Sequence, residues 1–110
     1  MAVNGWRAMW VIAVYDCPVT EAEQRHDYTQ FRRMVLQENF TQLQFSVYAR
    51  HFASMETAQA AMNRLARCIP EGAKVAFFMI TDKQFAMTRQ FFGPRRTEKS
   101  LSKPEQVELF

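Results

Sequence analysis

Asp16 is the residue whose type and position point most directly to chemistry. It follows an apolar run from Met9 to Tyr15 that predicts a central strand buried on both faces, and Pro18 enforces the end of that strand. A carboxylate at a strand end can hold a hard cation such as Mg²⁺, although a single carboxylate makes a poor site. A two-fold axis beside the strand end would pair two copies of Asp16, which could then bind one metal, activate a water and polarise a phosphodiester. The alternative is that Asp16 accepts backbone N–H groups and starts the turn at Pro18.

The cysteines and histidines predict neither a nucleophile nor a zinc site. Cys17 and Cys68 are far apart and belong to no paired metal-ligand motif, which is typical of a reduced, cytoplasmic setting. Cys17 lies near a helix start, but no histidine is close to it in sequence, and an incidental thiol is the favoured interpretation. His26 and His51 lack a spaced histidine partner and are interpreted as surface or packing residues.

Arginines form the second group of candidates, because a guanidinium fork binds phosphate oxygens in pairs. Arg95 and Arg96 are adjacent in a basic segment and make the clearest local charge patch, whereas Arg64 and Arg67 are interpreted as solvated surface. The net charge of +3 permits phosphate binding but does not demonstrate it. The full set of predicted nucleic-acid contacts is Arg25, Arg32, Arg33, Arg50, Arg95 and Arg96.

The elements that must position these residues follow from the hydrophobic periodicity. Thr20 to Glu23 predicts a capping box that starts a helix reaching about Glu38. The next segment, residues 40–52, predicts one long half-exposed strand or two strands bent near Ser46. Its outer face would carry polar residues and Tyr48, an aromatic that could stack on a base, although a place in the core or at a dimer face is at least as favoured.

The rest of the core repeats this alternation of helix and strand. Ser54 predicts the cap of a second helix that ends near Cys68, and residues 73–81 predict another apolar strand. A turn over 81–85 follows, and residues 85–92 could carry a short strand. The order predicts an α+β fold, ferredoxin-like βαββαβ with an antiparallel sheet, as one core domain over 9–92.

The two ends of the chain differ from this core. Residues 1–8 are expected to be a loose extension or to precede an alternative start at Met9, and they lack signal-peptide features. No apolar run approaches the ~20 residues needed to cross a membrane. Residues 93–110 predict a basic linker followed by a C-terminal edge strand. The apolar residues Val107, Leu109 and Phe110 are expected to dock that strand onto a sheet, including one of another chain.

Four strings carry a resemblance to a known family: WVIAVYDCPVT, FRRMVLQENFTQLQFSVYARHF, ITDKQF with the closing QVELF, and FFGPRRT. Over Met9 to Phe110 the chain resembles the small CRISPR-associated adaptation proteins, in the short form found in type II systems. The QFSVY-x-RH and TDKQF strings are specific in combination, whereas a lone aspartate is not.

The resemblance implies a homodimer with its sheets packed face to face, whose C-terminal strand pairs at the partner's sheet edge and whose tail binds the CRISPR integrase subunit. Such a dimer acts as a scaffold and ruler for the double-stranded DNA that becomes a spacer. Some members are Mg²⁺-dependent nucleases on RNA or DNA, with the aspartate that matches Asp16 as metal ligand. The segment containing Arg95 and Arg96 supplies phosphate contacts in other members.

Two departures from the family pattern bear on activity. Gln42 stands where some members have arginine, and the loop after Asp16 carries Glu21 and Glu23 instead of arginines. Both weaken the hypothesis of an efficient nuclease more than the hypothesis of a scaffold. A third hypothesis is a ferredoxin-like regulatory module that binds a small metabolite and no nucleic acid; the lack of a glycine-rich loop, with three glycines in the chain, disfavours it.

Overall fold

A computed structural model describes residues 8–94, which form a four-stranded antiparallel sheet with two long helices on one face. The sheet order is β2-β3-β1-β4, which confirms the ferredoxin-like α+β fold. No helix in these residues is long and apolar enough to cross a membrane. The elements are β1 (Met9–Asp16), α1 (Ala22–Gln37), β2 (Thr41–Gln44), β3 (Val47–Phe52), α2 (Met55–Ala66), β4 (Lys74–Thr81) and α3 (Asp82–Ala86).

Several predictions fall outside the described residues. These are the N-terminal extension up to residue 7, the phosphate contacts Arg95 and Arg96, and the C-terminal strand with its partner-binding residues Val107, Leu109 and Phe110. The face-to-face homodimer also stays a prediction, because the structure contains one chain.

The hydrophobic core lies between the two long helices and one face of the sheet. Every second residue of β1 points into it, so that Val11 is fully buried and Tyr15 nearly so. Phe31 of α1 and Leu65 of α2 meet them from the helical side. The other side of the sheet, here called the open face, carries Ile12 and Val14 of β1 with their β4 partners Phe78 and Ala76.

Residues 40–52 form two strands, as in the second of the two predicted alternatives. The turn between them contains Ser46, whose φ of 67° lies in the left-handed region. The outer-face position considered for Tyr48 is wrong, and the alternative position in the core is confirmed, because the side chain is completely buried. Tyr48 pairs with Ala13, an inward-facing residue of β1, and this register turns the Tyr48 side chain into the core.

Two further local predictions are corrected by the structure. Helix α1 begins one position later than expected, with Glu21 as its first flanking residue and the Gln24 side chain accepting from the Glu21 amide at 2.9 Å. The strand expected over residues 85–92 does not form. Instead, Thr81 and Gln84 exchange hydrogen bonds of 2.9 and 3.1 Å between side chain and backbone, and this capping box starts α3.

Candidate functional site at the end of the first strand

Asp16 ends β1 on the open face of the sheet, with its side chain exposed. Its direct partner in the antiparallel ladder is Lys74, the first residue of β4, which is also exposed. Within residues 8–94 no basic group lies within 4.0 Å of the Asp16 carboxylate. The carboxylate oxygens are therefore available to a ligand from outside the chain.

An open cavity of about 490 Å³ adjoins the two charged residues. Apart from Asp16 and Lys74, its lining comes from Val14, Tyr15, Val75 and Ala76. A volume of this size falls within the range of small-molecule sites. The cavity thus offers one acceptor and one ammonium donor against apolar walls.

The strand end that carries Asp16 is held from the core side by Tyr15. The Tyr15 ring stacks on Tyr48 with 5.5 Å between ring centroids and meets Phe31 edge-on at 5.0 Å. The Tyr15 amide also donates to the Ser46 carbonyl at 3.2 Å, which ties β1 to the turn of the hairpin. Burial raises the pKa of the Tyr15 phenol far above its usual value, so the ring stays neutral and acts in packing.

One protomer does not by itself fit a Mg²⁺ site. The described residues hold no group of three or more histidine, cysteine or carboxylate side chains placed to bind a metal. At the end of β1 there is one carboxylate, Asp16, and an ammonium group lies opposite it. The described residues of one chain therefore provide a single carboxylate at this place, which makes a poor site for a divalent cation.

Cys17 follows Asp16 directly but is not activated. Burial raises the pKa of the Cys17 thiol, and the neighbouring Asp16 carboxylate acts in the same direction. A thiol with a raised pKa is mostly protonated at neutral pH and is a poor nucleophile. The structure thus supports the interpretation of Cys17 as an incidental thiol.

Three of the predicted phosphate-binding arginines make hydrogen bonds within their own chain. Arg25 donates to the carbonyls of Val19 and Thr20 at 3.1 and 2.9 Å, and so closes the loop after β1. Arg32 donates through Nε to the Tyr48 hydroxyl at 3.0 Å. These two guanidinium groups therefore stabilise the fold around the site.

Arg50 is held still more closely by the end of helix α1. It donates to the Glu38 carbonyl at 2.7 Å, and its guanidinium lies 4.1 Å from the centre of the Phe52 ring. Among the described candidates, only the Arg33 guanidinium makes no hydrogen bond or ion pair with residues 8–94, and the side chain is exposed on α1.

The structure also shows contacts that sequence reasoning missed. Arg64, interpreted as solvated surface, makes a two-pronged ion pair with Glu38 at 2.6 and 3.0 Å. Lys74 was not predicted as a site residue, although the predicted fold implies its position opposite Asp16. In a βαββαβ sheet β4 runs antiparallel beside β1, so the residue that starts β4 faces the residue that ends β1.

The loop after β1 differs in charge from the Asp16 cavity. A separate pocket of about 330 Å³ there is lined by Pro18, Glu21, Glu23, Gln24, Asp27, Glu71 and Gly72. Its four carboxylates would repel a phosphate chain. This distribution of charge disfavours the start of α1 as the place where nucleic acid binds.

The histidine interpreted as a packing residue behaves as one. His51 lies edge-on to Trp10 with 5.3 Å between ring centroids, and its Nε2 lies 2.9 Å from an Asp82 carboxylate oxygen. Trp10 in turn stacks on Phe85 at 3.8 Å. These contacts hold α3 against the opposite end of the sheet from Asp16.

The sheet order places the chain in a recognised fold class. It resembles a solved structure described as "Crystal structure of cas2" with a TM-score of 0.59, covering 83% of this chain and 92% of that one. The two sequences are 21% identical, so this comparison establishes the fold. The class is that of ferredoxin-like proteins with the Cas2 architecture.

Sequence comparisons establish the family. The profile described as "CRISPR associated protein Cas2" matches residues 9–88. A protein of Parvibaculum lavamentivorans is 39% identical over 93% of this chain and 100% of its own length, and one of Flavobacterium psychrophilum is 36% identical over 98% and 93%. Both relatives are named "CRISPR-associated endoribonuclease Cas2". The chain belongs to the Cas2 family of CRISPR-associated proteins.

Proposed function

We propose that this chain is a dimeric subunit of CRISPR spacer acquisition, which binds duplex prespacer DNA by its phosphates and bridges the integrase. The observation that carries the proposal is the apolar open face with Asp16 at its end. Phe78 lies in the middle of β4 on that face and is 55% exposed. Together with its neighbours Ile12, Val14 and Ala76, this exposed phenylalanine forms an apolar patch, which indicates an interface.

A second copy of the chain is the occupant that the proposal assigns to the open face. The face is lined by Ile12, Val14, Ala76 and Phe78 and carries Asp16 and Lys74 at one end. Self-pairing about a two-fold axis covers the apolar part on both copies at once. If that axis runs beside the end of β1, it also brings the two Asp16 side chains together.

The phosphate contacts are assigned to Arg33, Arg95 and Arg96. Arg33 is exposed on α1, and Arg95 and Arg96 lie beyond the described residues. Arg25, Arg32 and Arg50 serve instead as structural residues, because each donates to a group of its own chain. Membership in a CRISPR-associated family supports the nucleic-acid role.

Salt dependence of duplex binding tests this proposal. Each phosphate contact contributes about −0.9 to the log–log slope of affinity against salt concentration on duplex DNA. We expect a steep slope for the wild-type protein and a smaller one for the triple variant Arg33→Gln, Arg95→Gln, Arg96→Gln. Arg67→Gln, on the exposed end of α2, is the matched control and should leave the slope unchanged.

The competing regulatory-module hypothesis predicts a different result in the same titration. A protein that binds a small metabolite would show no measurable affinity for duplex DNA at low salt. That outcome would count against the spacer-acquisition role. Backbone contacts carry no sequence information directly, so duplexes of unrelated sequence should bind alike.

The integrase-bridging part of the proposal depends on the C-terminal residues. We expect deletion of residues 106–110, which removes Val107, Leu109 and Phe110, to abolish binding of the integrase subunit. Circular dichroism and thermal unfolding of the truncated chain should show an intact core. Co-purification that survives the deletion would contradict this assignment.

A second candidate function is Mg²⁺-dependent cleavage of RNA or DNA. Two observations favour it: the Asp16 carboxylate is exposed without a cation within 4.0 Å among residues 8–94, and the named relatives are endoribonucleases. The proposed role of Asp16 is to hold the cation together with its copy across the dyad, and the cation would activate the attacking water.

Substitution Asp16→Asn tests this candidate, since it keeps the size of the side chain and removes its charge. We expect cleavage of RNA or DNA in the presence of Mg²⁺ to be lost in the variant. Equal cleavage by wild-type and variant protein would show that the activity lies elsewhere. Duplex binding should persist in Asp16→Asn, so the scaffold and nuclease functions can be separated.

A further inference from the structure

The cavity beside Asp16 is also lined by a basic residue of the same chain, Lys74, whose position is fixed by the sheet. Asp16 and Lys74 are direct partners in the β1–β4 ladder, so their side chains leave the same face with Cβ atoms about 5 Å apart. The turn before Lys74 is held by a hydrogen bond from the Ala73 amide to the Pro70 carbonyl at 3.0 Å. The turn before Lys74 and the β1–β4 ladder that begins at it therefore fix the backbone of Lys74 at the cavity.

The Lys74 ammonium is placed at the site without being neutralised there. No ion pair joins it to Asp16 or to another carboxylate within 4.0 Å among residues 8–94. Val14 and Ala76 line the cavity beside the two charged residues. An ammonium group without an ion-pair partner has its donors available to an anion.

The two charges favour different ligands, and Lys74 limits what Asp16 can bind alone. A divalent cation on a single Asp16 would lie close to the ammonium and be repelled by it. A phosphodiester instead presents anionic oxygens, which accept hydrogen bonds from a lysine. Lys74 can therefore hold a phosphate group whose oxygens lie on its far side from the Asp16 carboxylate, since that carboxylate repels them.

We propose that Lys74 is a phosphate-binding residue of the Asp16 cavity, where its ammonium donates to a non-bridging oxygen of a nucleic-acid phosphodiester. This inference rests on the proposed nucleic-acid function and extends it with a residue outside the arginine set. It places one backbone phosphate per protomer on the Lys74 side of the cavity. Lys74 thereby orients the phosphodiester relative to the strand-end acid.

Duplex binding by Lys74→Met as a function of salt concentration tests the inference. Loss of one phosphate contact lowers the magnitude of the log–log slope by about 0.9 for each protomer that contacts the duplex. Lys74→Arg keeps the charge and should retain the wild-type slope. Lys83→Met is the matched control, because Lys83 lies on α3 at the other end of the sheet and its loss changes the net charge equally.

The outcomes separate this inference from the function on which it rests. A reduced slope in Lys74→Met, with wild-type slopes in Lys74→Arg and Lys83→Met, supports a phosphate contact. A wild-type slope in Lys74→Met, or equal losses in both methionine variants, overturns the Lys74 assignment while the scaffold role stands. Failure of the wild-type protein to bind duplex DNA overturns both.

Discussion

Single residues of one type serve different purposes in this chain, and arginine shows this most clearly. The sequence predicts that guanidinium groups suit phosphates, but it does not show which of them are already engaged. Arg32 reaches Tyr48 and Arg50 reaches Glu38, partners 16 and 12 positions away along the chain. Contacts of this range depend on the packing of α1 against the hairpin, so no local motif could have revealed them.

Glu38 gives the residue-scale prediction. The hydrogen bonds from Arg64, with the charge of Arg50, hold the pKa of the Glu38 carboxyl below its usual value. A carboxyl with a lowered pKa stabilises the fold above its usual pKa, and that stabilisation is lost as the pH falls through the lowered pKa. Glu38→Gln should therefore lower the free energy of unfolding at neutral pH, with a difference from wild type that shrinks in acid.

Urea unfolding of wild type and Glu38→Gln from neutral to acidic pH checks this prediction. Glu71→Gln is the matched control, since Glu71 is an exposed loop carboxylate without a basic group within 4.0 Å among residues 8–94. The difference in the free energy of unfolding between Glu71→Gln and wild type should not change with pH. A gap between Glu38→Gln and wild type that stays constant down to low pH would refute the assigned role of the carboxylate.

The elements themselves were predicted best where a local signal determines them. Ser54 caps α2 as expected, accepting from the Thr57 amide at 3.2 Å. The apolar runs predicted the bounds of β1 and β4 to within one residue. The face of β3 was predicted wrongly, because Tyr48 looks amphipathic in sequence and its direction depends on the register with β1. Alternation alone does not say which side of a strand meets the helices.

Gly72 provides the prediction at the scale of elements, since it joins the α2–β4 loop to the β1–α1 loop. Its φ is +82°, and a Cβ there would lie 3.3 Å from the Pro18 Cγ. Both the left-handed backbone and the close approach oppose a larger residue. We expect Gly72→Ala to destabilise the protein by about 1–3 kcal/mol in urea unfolding.

Making Gly72→Ala in a Pro18→Ala protein separates the left-handed backbone from the close approach to Pro18 as causes of the destabilisation. Pro18→Ala removes the ring atoms that a new Cβ would meet but leaves the left-handed conformation of residue 72 in place. The Gly72→Ala penalty should therefore be smaller in Pro18→Ala than in wild type. An unchanged penalty would assign the whole effect to the backbone, and no penalty in either background would refute the requirement for glycine.

At the scale of the whole molecule, one chain leaves the candidate site incomplete. Asp16 could be predicted from the sequence because a carboxylate that ends an apolar strand is a local signal. Lys74 could not be recognised in the same way, since it joins the site through the pairing of β4 with β1, residues 58 positions apart by their numbers. The proposed second Asp16 belongs to another copy of the chain, and its support is the exposed apolar face that the structure shows.

The open face yields the prediction at this scale. Phe78→Asp places a charge at the centre of the proposed interface, where burial of an unpaired carboxylate is strongly unfavourable. We expect the variant to be a folded monomer with weakened duplex binding, because the phosphate contacts of the two protomers are no longer combined. Ala60→Asp adds the same charge on the exposed side of α2 and should leave both properties unchanged.

The mass of the full chain in solution, measured by light scattering at micromolar concentration, tests the pairing of two protomers most directly. The account predicts twice the 12.9 kDa of one chain for the wild-type protein and a single-chain mass for Phe78→Asp. A wild-type protein with the mass of one chain would leave each Asp16 alone, and would contradict the account.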